Sequence, residues 1–330
     1  MKGESKPITD PSGRFEKIDV ALSVHNNVIC FKSFDRENGL EVSWYEVDCQ
    51  NLNDKQKFAL EQRAQVVKGF KKINLLSVFA YWFNSERTIF YFITESVNSK
   101  SVFDRVKRDQ PLRPRAIVRW LGSVLQALNF LHTQQTPFAH SRIELSSIFI
   151  KQSRQVLIPP LLNPALLRPT SNQIRIRYTT PPEALINQVC PASDIWGLGI
   201  AVLYSTTSEQ PYSECTSPYQ FIQKLRSFTP PASLQKVQDV YLKNFIEQCL
   251  KPTDQRPTAA DLLNHPIFQQ SYENPSQDQP SDIQVEMLIE QKATANPFSS
   301  AGAIGQINST IPLSRGDKVT TSTPHIHNIK

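Results

Sequence analysis

Thr180-Pro181-Pro182-Glu183 is followed by Ser193-Asp194-Ile195-Trp196-Gly197-Leu198-Gly199, then by Asp254-Gln255-Arg256-Pro257-Thr258 and Leu262-Leu263-Asn264-His265-Pro266-Ile267-Phe268. The centre of this set is Ile195 to Tyr204, a nearly all-apolar run. A helix that is apolar all round must be buried on all sides, so other helices have to surround it. They are available in the sequence. Ile117, Val118, Leu121, Val124, Leu125, Leu128 and Leu131 recur at three and four residues upstream, and Leu242 to Leu250 and Ala259 to Leu263 supply two further segments downstream.

Ahead of about Ser96 the pattern changes. Val20-Ala21-Leu22 and Val28-Ile29-Cys30-Phe31 read as a hairpin, Glu41 to Val47 alternates, and Thr88 to Ile93 reads as a buried strand. Between them Asp54 precedes a helical run in which Phe58, Ala64, Val66 and Val67 can share an apolar face. The expected fold class is therefore α+β and bilobal. A small β-sheet lobe with one helix spans 15–97, a larger and mainly helical lobe spans 98–270, and a disordered arm spans 1–14. After Gln270 the chain is dominated by Ser, Pro, Asn, Gln and Thr, so 271–330 is expected to be mostly disordered with one short helix after Asp282.

Composition excludes several classes. With 39% hydrophobic and 20% charged residues, 330 residues can bury a sizeable core. No apolar run approaches the roughly 20 residues of a membrane span, and Met1 to Lys6 lacks the apolar core of a signal peptide. A cytoplasmic protein is expected, reaching endomembranes through its partners. The five cysteines are odd in number and show no C-x-x-C pairing, which points to reduced, packed thiols rather than a metal site. The formal charge of +6 includes Arg105, Lys107, Arg108, Arg113, Arg115 and Arg119, which are not interleaved with aromatics. That reads as a solvated helical face and not as a nucleic-acid site.

The three opening motifs, in order and in register over about 90 residues, resemble the A-P-E, D-x-W-x-x-G and closing-helix segments of the protein kinase family. Val42-Ser43-Trp44, Ala127 to Thr133 and Thr207 to Cys215 resemble the with-no-lysine kinases and related pseudokinases. Phe245 to Leu250 and Arg256 to Ala259 resemble the nuclear receptor-binding protein group in particular. The resemblance covers roughly 14 to 270.

Within that resemblance, each part that phosphoryl transfer needs can be sought by position. Leu22 to Val28 stands where a glycine-rich turn covers the phosphates, and it contains no glycine. Tyr45 stands at the strand lysine, and the rescue lysine of with-no-lysine kinases falls near Val28. Arg63 stands at the helix glutamate. In the catalytic loop Arg142 replaces the aspartate, Glu144 the lysine and Ser147 the asparagine; Pro160 takes the metal-binding aspartate position. His140 persists as a packing residue. The resemblance further implies that Glu183 pairs with Arg256 and that Asp194 caps the catalytic-loop backbone, while Glu95 and Val97 keep a vestigial hinge.

The resemblance thus implies a pseudokinase with no catalytic residues and no metal, able at most to bind ATP weakly and without metal. Its partners are expected to be signalling or trafficking proteins. The rival expectation is an atypical active serine/threonine kinase using Glu144 or Glu95 as replacement groups. In the tail, Asn296-Pro297-Phe298 resembles the N-P-F peptides that enter the pockets of EH-domain adaptors, with Phe298 as an apolar anchor; Ile283, Met287 and Leu288 can form one face of a second docking element.

Overall fold

The structure, a computed structural model, describes residues 8–25, 28–71, 74–97, 99–109, 111–151, 153–159 and 177–270. Its first part is an antiparallel sheet built from β1 (Ile8–Thr9), β2 (Phe15–His25), β3 (Val28–Asp35), β4 (Leu40–Asp48), β5 (Val78–Phe83) and β6 (Ile89–Glu95), in the order β1-β2-β3-β4-β6-β5. β3 and β4 pair without interruption from Val28↔Val47 to Asp35↔Leu40. Their turn is tied by Asp35, whose carboxylate accepts from the Asn38 amide and the Arg14 guanidinium. Gly39 closes that turn with φ of 66°, a left-handed conformation that costs glycine no steric strain.

The sheet carries an apolar cluster on each face. On one side Val47, Cys49, Phe90 and Phe92 meet Leu60 and Ala64 of helix α1 (Asp54–Lys68). On the other, Phe15, Phe31, Val42, Trp44 and Ile93 form a second cluster with Phe79, Trp82 and Tyr91. Phe15 of β2 stacks on Phe79 of β5 with centroids 6.3 Å apart although three strands lie between them in the sheet order, so the sheet curls round this aromatic core. α1 starts where Asn53 and Gln56 form a reciprocal capping box and ends at Gly69.

Two strands differ from the sequence expectation. β1 falls within 1–14, where a disordered arm is expected, and pairs through Ile8↔Lys17 and Thr9↔Glu16. β5 was not expected because Val78-Phe79-Ala80-Tyr81-Trp82-Phe83 has no polar alternation; it packs a side chain on each face of the curl.

The second part is helical: α2 (Val102–Arg108), α3 (Pro114–His132), α4 (Pro191–Thr207), α5 (Pro218–Arg226), α6 (Val240–Cys249) and α7 (Ala259–Leu263), with the small hairpin β7 (Phe149–Ile150) and β8 (Val156–Leu157). α4 is buried from Ser193 through Leu203, as its apolar run requires. Two glycines permit this. A Cβ on Gly197 would lie 2.8 Å from the Ile143 carbonyl oxygen, and one on Gly199 would lie 2.5 Å from the Cys249 Cβ. All five cysteines are free thiols, and no described helix is long and apolar enough to cross a membrane.

The two parts are joined by backbone bonds. Leu76 N–H donates to the Ile158 carbonyl at 3.0 Å, and Ile158 N–H donates to Asn74 at 3.1 Å. The Asn74 side-chain amide then reaches the Ser123 carbonyl and Gln126 Oε1 on α3. Pro160, Asn296, Pro297, Phe298, Ile283, Met287 and Leu288 lie outside the described residues.

Candidate active-site cleft

β4 places Tyr45 between the sheet and α1, opposite Cys30 on β3 and Phe92 on β6. Its ring stacks on Phe92 at 4.5 Å with the planes 2° apart. Burial pushes the phenol well above its ordinary range, with Cys30, Thr94 and Ser43 around the hydroxyl. The position is filled by a neutral, packed side chain, which offers a phosphate no positive charge.

Arg63 projects from α1 towards the second part. Its Nη2 donates to the Ala139 carbonyl at 2.8 Å and more weakly to that of His140, and the guanidinium lies 3.9 Å from the Phe138 ring centroid. Burial pulls its pKa down to about 10 against the opposing field of Asp194, so it stays charged at neutral pH. Tyr45 and Arg63 are therefore not partners of each other; each is satisfied elsewhere.

The loop after α3 is held by Asp194. One carboxylate oxygen accepts from His140 N–H at 2.7 Å and meets His132 Nε2 at 2.9 Å, and the other accepts from Ser141 N–H at 2.6 Å. Ser141 has φ of 67°, so the loop turns through a left-handed residue at the point that the carboxylate clamps. His140 is fully buried. Its Nδ1 accepts from Arg142 N–H and its Nε2 donates to the Pro159 carbonyl, while burial lowers its pKa and keeps the ring neutral. Both ring nitrogens are used within the fold, so the imidazole cannot act as a base without breaking one of these bonds.

Arg142 and Glu144 pair with each other. Arg142 Nε lies 2.9 Å from Glu144 Oε1, Ser146 donates to the same oxygen at 2.8 Å, and Arg177 Nη1 approaches Oε2 at 3.3 Å. Burial raises the Glu144 pKa, but the two guanidinium groups and Ser146 outweigh it and the carboxyl titrates below its ordinary value. The Ser147 hydroxyl bridges the Arg142 and Glu144 carbonyls at 2.9 and 2.8 Å and lies 3.2 Å from the Glu144 N–H. The loop thus closes a circuit of its own. Its side-chain charges, one positive at Arg142 and one negative at Glu144, are spent on each other and on Arg177.

At the hinge, Glu95 N–H donates to the Ser77 carbonyl, and its carboxylate accepts from Ser77 N–H and pairs with Lys151 at 2.7 Å. The Glu95 carbonyl accepts from Thr94 Oγ1 at 2.9 Å, and Val97 follows in an irregular stretch. Among the described residues, no three acidic, histidine or cysteine side chains are gathered as a metal site.

Glu183 and Arg256 lie at the foot of α4. Arg256 Nη1 donates to Glu183 Oε1 at 2.8 Å and to the Ala192 carbonyl at 2.6 Å; Ser193 and Thr253 complete the carboxylate. The guanidinium also faces the Trp196 ring at 5.3 Å. The sequence reading missed Arg177, Phe138 and Lys151. Lys151 is a lone base after a two-residue strand, Arg177 ends an Ile-Arg alternation that does not reveal its partner, and Phe138 follows a proline with no repeat around it.

The protein kinase domain family matches residues 27–268. Serine/threonine-protein kinase WNK8 of Arabidopsis thaliana is 32% identical over 267 residues, covering 78% of this chain and 47% of the relative. Serine/threonine-protein kinase WNK3 of Mus musculus is 30% identical over 266 residues, covering 79% and 15%. The probable serine/threonine-protein kinase WNK5 of Oryza sativa subsp. japonica is 29% identical over 266 residues, covering 78% and 81%. The chain spans less than half the length of the first two. It belongs to the protein kinase domain family, with WNK serine/threonine kinases among its relatives.

Proposed function

We propose that the chain is a pseudokinase whose kinase-like body binds protein partners as an adaptor or scaffold in signalling or membrane traffic. The observation that carries this reading is the Arg142–Glu144 pair, closed by Arg177. A hydroxyl nucleophile needs a carboxylate to position it, and a transferring phosphoryl group needs cations around it. Here the guanidinium stands where the carboxylate is needed, the Glu144 carboxylate is neutralised by two arginines, and that of Asp194 is spent on the loop backbone. Tyr45 removes the phosphate-binding cation from β4, and the Ser147 hydroxyl is turned to the Arg142 and Glu144 carbonyls rather than offered as an amide oxygen to a metal. Pro160 supplies no carboxylate. Nucleotide binding on this reading is weak and independent of metal, because the hinge remains while the charged contacts do not.

The second reading is an active atypical serine/threonine kinase. The relatives favour it, since WNK8 and WNK3 carry that name at about one third identity. It requires Glu144 or Glu95 to act in transfer. Glu144 would first have to leave Arg142 and Arg177, and Glu95 would have to leave Lys151 and Ser77.

The deciding experiment is incorporation of labelled phosphate by the purified full chain and by a generic substrate, in magnesium and in manganese. It is compared with Arg142→Ala and Glu144→Gln forms. The adaptor reading expects no difference among the three. Transfer by the native chain that falls in Glu144→Gln establishes the kinase reading. Thermal shift with ATP separates binding from transfer: the expected shift is small and unchanged by magnesium.

A further inference from the structure

We infer that the outward face of α1 is a docking site for an acidic amphipathic helix of a partner protein. This depends on neither reading of the cleft. The sequence pattern lets Phe58, Ala64, Val66 and Val67 share one apolar face, but of these the fold buries only Ala64 and Val67, together with Leu60. Phe58 and Val66 stay outside, at 61% and 51% exposure. α1 is thus apolar on two sides, and only one of them has a partner in the fold.

At about 100° per residue, Lys55, Phe58, Ala59, Gln62 and Val66 fall within one sector of about 100°, on the side away from Leu60 and Ala64. All five are exposed. The longer polar side chains on either side of that sector are held elsewhere: Glu61 pairs with Arg87 at 3.1 Å, Gln65 accepts from the Tyr81 hydroxyl, and Arg63 donates to the Ala139 carbonyl at 2.8 Å. What remains is an apolar strip with a single charge. Lys55 has no ion-pair partner among the described residues.

Spacing and charge select the occupant. Phe58 and Val66 are two turns apart, about 12 Å along the axis, which matches apolar residues at i, i+4 and i+8 of a facing helix. A second copy of α1 is a poor match. Laid antiparallel, it would bring Lys55 to the end that carries the exposed Lys68 and Lys71; laid parallel, it would set Lys55 against its own counterpart. A lipid surface is a poor match too, because Gln62 sits in the middle of the strip and hydrocarbon offers its amide no hydrogen bond. A partner helix with a carboxylate opposite Lys55 meets each requirement, the charge setting register and on-rate more than raw affinity. α1 is only about 22 Å long, so the face buries less than the roughly 800 Å² per partner of a standard interface, and the expected binding is weak and reversible.

The test uses the full chain and a labelled Ala-based helical peptide with Leu at i, i+4 and i+8 and a Glu at each end of that face. A second peptide carries Lys in place of Glu, and sedimentation of the chain alone and with phosphatidylserine vesicles covers the other occupants. Binding of the Glu peptide is expected, and a fall of at least about tenfold in the double variant Phe58→Ala with Val66→Ala. Val240→Ala, which removes an exposed apolar side chain from α6, is expected to leave binding at the native level. Lys55→Glu is expected to weaken the Glu peptide and strengthen the Lys peptide, an exchange that loss of the fold does not produce. Melting temperatures of all variants are expected to stay near native, since none of these side chains lies in the core. The proposal is overturned if the Glu peptide does not bind, if both peptides bind the native chain equally, or if Val240→Ala loses as much as the double variant. It is equally overturned if the double variant abolishes self-association or vesicle binding instead.

Discussion

Arg63 Nη2 lies 2.8 Å from the Ala139 carbonyl oxygen, a contact between residues 76 apart that fastens α1 to the loop following α3. The helix carries a cation, the sheet carries a phenol, and the cation turns towards backbone carbonyls and the Phe138 face. The helix is thereby held by contacts that no nucleotide has to complete. Arg63→Ala is expected to cost about 1–3 kcal/mol through the lost charged hydrogen bond and ring contact, and hydrogen exchange in α1 is expected to rise. Arg63→Glu is expected to be worse than Ala because it sets a carboxylate against the Ala139 and His140 carbonyls. Urea denaturation of the three forms measures the order.

Tyr45 gives the complementary prediction. Its ring fills the space between β4, β6 and α1 and stacks flat on Phe92. Tyr45→Lys puts an ammonium among Cys30, Ser43, Thr94 and the Phe92 ring, none of which is a carboxylate. A buried polar group without a partner costs about 1–3 kcal/mol on mutational scales, and the lost aromatic packing adds to that. The single reversion is expected to lower the melting temperature and to restore no magnesium-dependent ATP shift. A gain in that shift would mean that the cleft still holds a phosphate site.

The Arg142–Glu144 pair predicts a dependence between two substitutions. Arg142→Ala leaves Glu144 to Arg177 and Ser146, a modest loss. Glu144→Ala leaves two guanidinium groups near each other, one of them beside the loop backbone, and is expected to destabilise more. The charge-swapped double form, Arg142→Glu with Glu144→Arg, is expected to regain part of the stability, short of native because Arg177 then faces a like charge. A double-mutant cycle by denaturation reads the coupling, expected at about 1 kcal/mol or more.

Much of the fold was legible because its strongest signals are repetitive or sterically demanding. The Ile195 to Tyr204 run could only be a buried helix, and Gly197 and Gly199 sit where α4 meets Ile143 and Cys249 too closely for a Cβ. β5 was illegible because both of its faces are apolar, and β1 because two residues carry no period. For the cleft, the family resemblance singled out Tyr45, Arg63, Arg142, Glu144 and Ser147, but the sequence could not tell how these groups satisfy their neighbours. That depended on Arg177 and Lys151, loop residues whose partners are 33 and 56 positions away. Pairings over such separations leave no local pattern in a sequence.

The pair formed by Glu183 and Arg256 predicts both a mutational and a pH signature. Both side chains are almost inaccessible, at 6% and 0%. Burial alone would raise the Glu183 pKa, but Arg256 and Ser193 overcome it and the net shift is downward. A carboxyl whose folded pKa lies below its unfolded value contributes stability that is complete above the unfolded pKa and is lost as pH falls through the folded one. The native protein should therefore weaken on acidification below the ordinary glutamate range, and part of that slope should vanish in Glu183→Gln. Removing one partner leaves the other buried and uncompensated, at a cost of about 3–5 kcal/mol, so Glu183→Ala and Arg256→Ala should each lower the melting temperature markedly. Together they should cost less than the two singles summed, because the second change removes the orphaned charge left by the first. Arg256→Lys is expected to recover little: one ammonium cannot reach Glu183, the Ala192 carbonyl and the Lys251 carbonyl at once, as the guanidinium does. Small, additive effects in this set would mean that the ion pair contributes little to holding α4 against the segment before α7.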